Sequence, residues 1–163
     1  MLQNLANLYD NADAATAERS ARLERRLALA QARDQYERAR RQAQWGRVRN
    51  LLARVLGLRP RQLLALQTAQ SVNRRYGGLQ TVALERIRGS EGRLADFDAD
   101  FNPLRPSTAQ RWISVAAERA VGHTLPPVEL IQVGDLYYVR DGHHRVSVAH
   151  VRGERFIEAQ VMG

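Results

Sequence analysis

The glycine pair Gly77-Gly78 separates two halves of the chain whose hydrophobic periodicities differ. Before this pair the apolar residues follow helical spacing only, and after it strand-like and helix-like runs alternate with short turns. This break predicts two domains, an all-α region over residues 1–78 and an α+β domain with a small mixed sheet over residues 79–163. A length of 163 residues fits one small domain with an appended helical region.

The first half begins with a long segment, about residues 14–44, that contains neither glycine nor proline. It places Leu23, Leu27 and Ala30 on one face, which predicts a long helix with a narrow apolar stripe. Such a helix should pair with another helix or with another chain, so a homodimer through the N-terminal helices is one expectation. Gly46 is expected to interrupt it, and Gly57 to cap a second helix.

A further helix is predicted from Pro60 to about Arg75, because proline favours the first helical turn. The spacing at the preceding turn weakly resembles a helix-turn-helix, although a plain helical hairpin is the favoured interpretation. The positions concerned are Ala53, Gly57 and Leu63, with Arg59, Arg61 and Gln62 opening the second helix.

Charge is divided unequally between the halves. Residues 1–78 carry 15 arginines against 6 acidic residues, and residues 79–163 carry 10 against 11. The first half is expected either to contact DNA or simply to solvate its long helices. The chain has no cysteine, which excludes thiolate chemistry, and no apolar run of membrane-spanning length. We therefore expect a cytoplasmic protein with no membrane partner.

The sequence pattern of the second half predicts a strand, a helix, a hairpin, a helix and a strand. The Ser-x-x-Gln pattern at Ser107 predicts a capping box for the first of these helices, and Gly134-Asp135 predicts the hairpin turn. In chain order the elements are a strand over 81–87, a polar segment over 88–105, a helix from 107 ended by Gly122, strands over 128–133 and 136–140, a helix over 143–151 ended by Gly153, and a strand over 155–162.

The pentad Asp141-Gly142-His143-His144-Arg145 joins a predicted strand to a predicted helix. Backbone N–H groups at a helix start lack internal partners and attract anions, and glycine allows a phosphate to approach closely. Arg145 is expected to close a planar fork on that phosphate. The simpler alternative is a capped turn whose imidazoles and guanidinium face water.

The two adjacent imidazoles suit charge-assisted binding or proton transfer, because an unperturbed histidine pKa lies near 6.5. Asp141 has three open roles: it orients an imidazole, caps the helix or binds Mg²⁺. A metal ion shared by His143 and His144 is disfavoured, since adjacent helical residues point about 100° apart. The acidic stretch 96–101 is expected to be a solvated loop held by Phe97 and Phe101, with a Mg²⁺ or amine site as the alternative.

The segment from about Thr81 to Val161 resembles the ParB/sulfiredoxin superfamily. The residues that carry the resemblance are Ile87-Arg88-Gly89-Ser90, Leu136-Tyr137-Tyr138-Val139-Arg140, the pentad and Ile157-Glu158-Ala159. The resemblance implies a nucleotide ligand (ATP, CTP or ADP, with or without Mg²⁺) and phosphate binding by Gly142, His143, His144 and Arg145. It further implies Arg88, Glu91 or Arg93 beside the reacting group, and Arg105, Ser107 and Arg111 near the nucleotide.

Departures from the family pattern narrow the choice of activity. Sulfiredoxins carry a cysteine in this turn, which His143 replaces here, so their reductase chemistry is excluded. Segregation-type members have a Glu-Arg-Arg turn followed by a DNA-reading domain, so clamp-style partition is not expected. The leading expectation is a nucleotide-binding protein with phosphoryl-transfer or hydrolytic capacity, in which Glu91, His143 or His144 is the candidate base. The alternative is a non-enzymatic, DNA-associated regulator that uses its basic helices.

Overall fold

The first helix is one continuous element. The computed structural model describes residues 2–66 and 76–163, with side chains from residue 16 onward, and its first helix, α1, spans Leu2–Val55. Gly46 lies inside α1, so the predicted interruption there is wrong: a glycine costs a helix about 1 kcal/mol but does not end it. Gly57 caps the helix as predicted. Its φ is +72°, and the N–H of Leu58 donates to the carbonyl of Ala53 at 2.7 Å.

The chain after α1 is extended rather than helical. Residues 59–63 are irregular and Leu64–Ala65 form the short strand β1, so the predicted helix from Pro60 is wrong up to Leu66. Its remainder, residues 67–75, lies outside the described residues. The Asn50 side chain donates to the Arg61 carbonyl at 2.8 Å and accepts from the Arg61 N–H at 3.1 Å, which holds this segment against α1. The helix-turn-helix interpretation is wrong for the same reason, because Arg59, Arg61 and Gln62 open no helix.

The described residues form a six-stranded mixed sheet in the order β1-β3-β5-β4-β6-β2. The β1/β3, β3/β5 and β4/β6 pairs are parallel, and the β4/β5 and β2/β6 pairs are antiparallel. This arrangement confirms the predicted α+β class, a mixed sheet preceded by a helical region. The remaining elements are β2 Tyr76–Ala83, β3 Ile87–Ser90, α2 Ala109–Ala120, β4 Val128–Val133, β5 Leu136–Asp141, α3 His143–Val151 and β6 Phe156–Met162.

The hairpin β4–β5 and helix α3 are confirmed, and two details differ. The first predicted strand ends at Ala83 and is followed by a 3-10 turn, after which β3 occupies the start of the predicted polar segment. The predicted capping box is wrong, since α2 begins at Ala109 and no described side chain caps it. The Thr108 hydroxyl instead donates to the Arg105 carbonyl at 2.7 Å.

The core is continuous from α1 to the sheet. Ala28, Ala32 and Tyr36 on α1 belong to the same buried cluster as Trp112 on α2 and the inward side chains of the strands. The Tyr36 and Trp112 rings lie 5.6 Å apart, and the Trp112 indole N–H donates to Ser147 on α3 at 2.8 Å. The domain boundary after residue 78 stays a prediction. Among the described residues, no helix has the length and apolar character needed to cross a membrane.

Candidate phosphate-binding site

The pentad forms the turn between β5 and α3. Gly142 is the residue before the first turn of α3 and has a φ of +92°. A Cβ at this position would lie 2.6 Å from Cγ1 of Val128, which is too close for any side chain. Packing against β4 therefore requires glycine at this position. The sequence had indicated a different reason, namely that glycine lets a ligand approach the backbone closely.

The start of α3 presents backbone N–H groups to its surroundings. In an α-helix the first N–H groups have no intrahelical acceptor, so those of His143, His144 and Arg145 are available. Gly142 has no side chain to cap them, and no other described side chain does so. Together with the helix dipole, these donors create a partial positive charge that favours an anion.

The residues that carry these N–H groups line a cleft of about 450 Å³, a size typical of small-molecule sites. Its walls come from the loop after β3, the turn before α2, the first half of α2 and the start of α3. The lining residues are Arg93, Asp96, Ser107, Thr108, Arg111, Val115, Asp141, Gly142, His143, His144 and Arg145. Eight of the candidate site residues are therefore brought together, whereas Arg88, Glu91 and Arg105 do not line the cleft.

Three larger clefts have less relevant chemistry. One of about 590 Å³ lies on the other side of Arg145, beside Arg119 and Glu154, which are paired with each other at 2.6 Å. One of about 870 Å³ lies between α1 and β1 and has apolar side chains such as Leu63 and Leu94 in its walls. One of about 570 Å³ is bordered by α1 and the end of α3. None of the three is lined by residues 142–144, so the 450 Å³ cleft remains the candidate site.

Arg145 is occupied by its own chain. Its guanidinium donates to the Asp141 carboxylate at 2.7 Å, to the Pro127 carbonyl at 2.8 Å and to the Pro126 carbonyl. These contacts tie the turn to the segment that precedes β4. Arg145 in this conformation therefore positions the turn, which differs from the phosphate fork expected from sequence.

His143 is buried, with 5% of its surface exposed. Its Nε2 lies 2.7 Å from the hydroxyl of Ser90, and its ring stacks on Phe97 with centroids 6.2 Å apart. Burial, and secondarily the positive charge of Arg93, lower the pKa of His143 to about 4. The imidazole is therefore neutral at pH 7.

His144 contacts Phe97 edge-on, with ring centroids 5.5 Å apart. Its Nε2 is buried and has no hydrogen-bond partner among the described residues. Burial, followed by the charges of Arg93 and Arg111, lowers the pKa of His144 to about 4. Neither imidazole therefore carries the charge at neutral pH that an unperturbed histidine pKa would allow.

The arginines of the cleft differ in their partners. Arg93 lies 3.4 Å from Asp96, which also lies 3.6 Å from Arg105. Arg111 is exposed and makes no ion pair with any described residue. Within the cleft, Arg111 is thus the cation most available to an anionic ligand.

The acidic stretch is a loop held by two buried phenylalanines, as expected. Phe97 and Phe101 are almost fully buried. Asp98 accepts hydrogen bonds from the N–H groups of Asp100 at 2.9 Å and Asn102 at 2.8 Å, so it serves the loop itself. No group of three or more histidine or acidic side chains among the described residues is arranged to hold a metal ion.

Two supporting residues, Ser90 and Tyr36, were not predicted to be members of the site. Ser90 contacts His143, and Tyr36 on α1 reaches the cleft wall, where its hydroxyl donates to the Arg105 carbonyl at 3.1 Å and lies 3.2 Å from Thr108 Oγ1. Their partners are 53 to 72 residues away in sequence. Spacing patterns within one element cannot reveal contacts at such separations.

Comparison with known proteins gives little further information. No protein-family model matches the chain, and no curated protein matches it. The chain is similar in structure to a sulfiredoxin from Arabidopsis thaliana, with a TM-score of 0.36 and 21% sequence identity over 51% of this chain and 82% of that chain. A TM-score this low does not establish a shared family.

Proposed function

We propose that this protein binds a nucleotide through its phosphate groups, in the cleft at the start of α3, and that its second half is a ParB/sulfiredoxin-like domain. The observation that carries the proposal is the helix start, which no described side chain caps and which lines a cleft together with Arg111, an arginine that makes no ion pair with a described residue. Backbone N–H donors and a guanidinium together match the oxygens of a phosphate.

The neutral histidines fit this role. A neutral imidazole still donates one N–H, and the buried Nε2 of His144 has no partner among the described residues. A bound phosphate would supply an acceptor for such a donor. Its negative charge would also offset the arginines that lower the two histidine pKa values. Ligand binding should therefore raise the pKa of both histidines.

Phosphoryl transfer or nucleotide hydrolysis is the proposed activity. Most catalysis of this kind comes from stabilising charge, which Arg93, Arg111 and the helix start would supply. The carboxylates of Asp96 and Asp141 border the cleft and would hold a nucleotide-bound Mg²⁺. Glu91 is a poor candidate base, because it lies outside the cleft and 3.8 Å from Arg140. His144 would act as a base through the ring nitrogen that does not donate to the phosphate.

Isothermal titration calorimetry with ATP, CTP and ADP, each with Mg²⁺, tests the proposal. At least one nucleotide should bind, and Arg111→Ala should weaken that binding about 10- to 100-fold, because a charged hydrogen bond contributes about 1.5–3 kcal/mol. Arg59→Ala is the matched control, since Arg59 is an exposed arginine that does not line the cleft. A wild-type chain that binds none of the three nucleotides contradicts the proposal.

Nucleic-acid association through α1 is a second candidate function. The arginines of α1 are mostly exposed, and only Arg22 and Arg25 form ion pairs within the described residues. Duplex binding by this helix should weaken steeply with salt, because each neutralised phosphate releases counterions. A gel shift with the full chain across a salt series tests it, and the absence of binding at low salt rejects it.

A further inference from the structure

Helix α1 has two opposite faces with different environments. Ala28, Ala32, Tyr36, Ala39 and Ala43 are buried, and they recur every three or four residues along one side. This side packs on α2 and the loop before it. The opposite side has no described partner, so its composition indicates what it contacts.

The exposed face is apolar at both of its ends. Its large apolar side chains include Trp45, which is 69% exposed, and Val55, which is 76% exposed. At 100° per residue, the members of this face lie within about 60° of Leu23 around the helix axis. Its apolar members are Leu23, Leu27 and Ala30 at one end and Trp45, Val48, Leu52 and Val55 at the other. A soluble chain rarely exposes so long an apolar stripe without a partner.

The middle of the same face is charged. Asp34 and Glu37 precede Arg38 and Arg41, and all four side chains are exposed. None of the four makes an ion pair with a described residue of its own chain. The face thus carries an acidic patch and a basic patch side by side, between two apolar ends.

We propose that this face of α1 binds the same face of a second copy of the chain, with the two helices antiparallel. One register pairs the charges on the centre line of the face: Asp34 of each copy lies opposite Arg41 of the other. In that register the apolar ends also meet, with Leu23 opposite Leu52, Leu27 opposite Val48 and Ala30 opposite Trp45. Each contact occurs twice, as in any two-fold interface.

A parallel, in-register pair would lack this complementarity. Asp34 would face Asp34 and Arg41 would face Arg41, and like charges in register repel. The antiparallel register instead places each Asp34 opposite an Arg41. This inference is independent of the proposed nucleotide site, because none of the face residues lines the cleft at α3.

Sedimentation of the full chain over a concentration series measures the association. The wild type should be a dimer, and Asp34→Arg and Arg41→Asp should each weaken dimerisation at least ten-fold. An equimolar mixture of these two variants should restore it, since every facing pair is then opposite in charge. Arg47→Asp, an equal charge change on an exposed residue off this face, should leave the dimer intact.

Single-cysteine variants determine the orientation, because the chain has no cysteine of its own. Arg38→Cys lies beside the two-fold axis and should form a disulfide between copies. Leu23→Cys should not, since antiparallel copies separate these positions by about 43 Å at 1.5 Å per residue. Efficient cross-linking at position 23 overturns the antiparallel arrangement. A wild-type chain that stays monomeric overturns the proposed interface. The same holds if the chain is monomeric alone and sediments faster only when nucleic acid is added.

Discussion

Gly142 is the residue on which the geometry of the candidate site depends most directly. Gly142→Ala places a Cβ at a φ of +92° and within 2.6 Å of Val128. The strain and the overpacking together should lower the free energy of unfolding by about 3 kcal/mol or more. Urea unfolding followed by circular dichroism measures it.

Gly134→Ala is the matched control, because Gly134 also has a positive φ, +59°, but open space around it. It should cost about 1–2 kcal/mol from backbone strain alone. An equal decrease in the free energy of unfolding for the two variants would show that contact with Val128 does not constrain the turn.

His143 and His144 should make stability depend on pH. Their folded-state pKa values are lowered to about 4, so between about pH 6.5 and pH 4 the unfolded chain binds protons that the folded chain does not. Their contribution is complete above about pH 6.5 and is lost as the pH falls towards 4. The free energy of unfolding should therefore be lower at about pH 5 than at about pH 7.5.

His143→Gln should reduce this pH dependence while also lowering stability at neutral pH, since it disturbs the contact with Ser90. Urea unfolding of both chains at the two pH values gives the comparison. An unchanged difference between the two pH values in the variant would mean that His143 titrates normally in the folded state.

Sequence patterns predicted the position of the pentad in the fold but not the structural role of each of its residues. A strand, a glycine and a helix start are local signals, and they correctly predicted the turn. Arg145 contacts Pro126 and Pro127, and Gly142 packs on Val128. The β4–β5 hairpin brings these partners next to the turn, so tertiary contacts determine the roles of Gly142 and Arg145.

At the scale of elements, prediction succeeded where turn chemistry was explicit. The glycines predicted to end a helix or to form the hairpin turn all have a positive φ. They are Gly122, Gly134 and Gly153. Prediction failed at Gly46, where a glycine was expected to end the helix and tertiary packing instead keeps the helix continuous. It also failed after Pro60, where hydrogen bonds from Asn50 and pairing with β3 favour an extended chain.

Gly46→Ala tests the continuity of α1. In a continuous helix this change should raise the free energy of unfolding by about 0.5–1 kcal/mol, because alanine is the better helix former. The added Cβ meets Asp98 at an ordinary 3.6 Å, so space is not limiting. Thermal unfolding of the two chains measures the gain. A loss of stability would indicate a helix break at this position.

At the scale of the whole molecule, α1 is coupled to the candidate site. Its buried face shares the core with α2, and Tyr36 braces the turn that forms one wall of the cleft. Its opposite face is the proposed dimer interface. The sequence predicted the helix and its apolar stripe, but which side faces the core emerged only from the packing of Ala28, Ala32 and Tyr36 against α2.

The proposed function requires that the start of α3 binds phosphate groups. The most direct measurement is an amide ¹H–¹⁵N NMR titration of the full chain with the nucleotide that binds in calorimetry, or with pyrophosphate. The largest shifts should occur at the N–H groups of His143, His144 and Arg145 and should saturate with the ligand. Saturable shifts elsewhere, with these three amides unmoved, would contradict it.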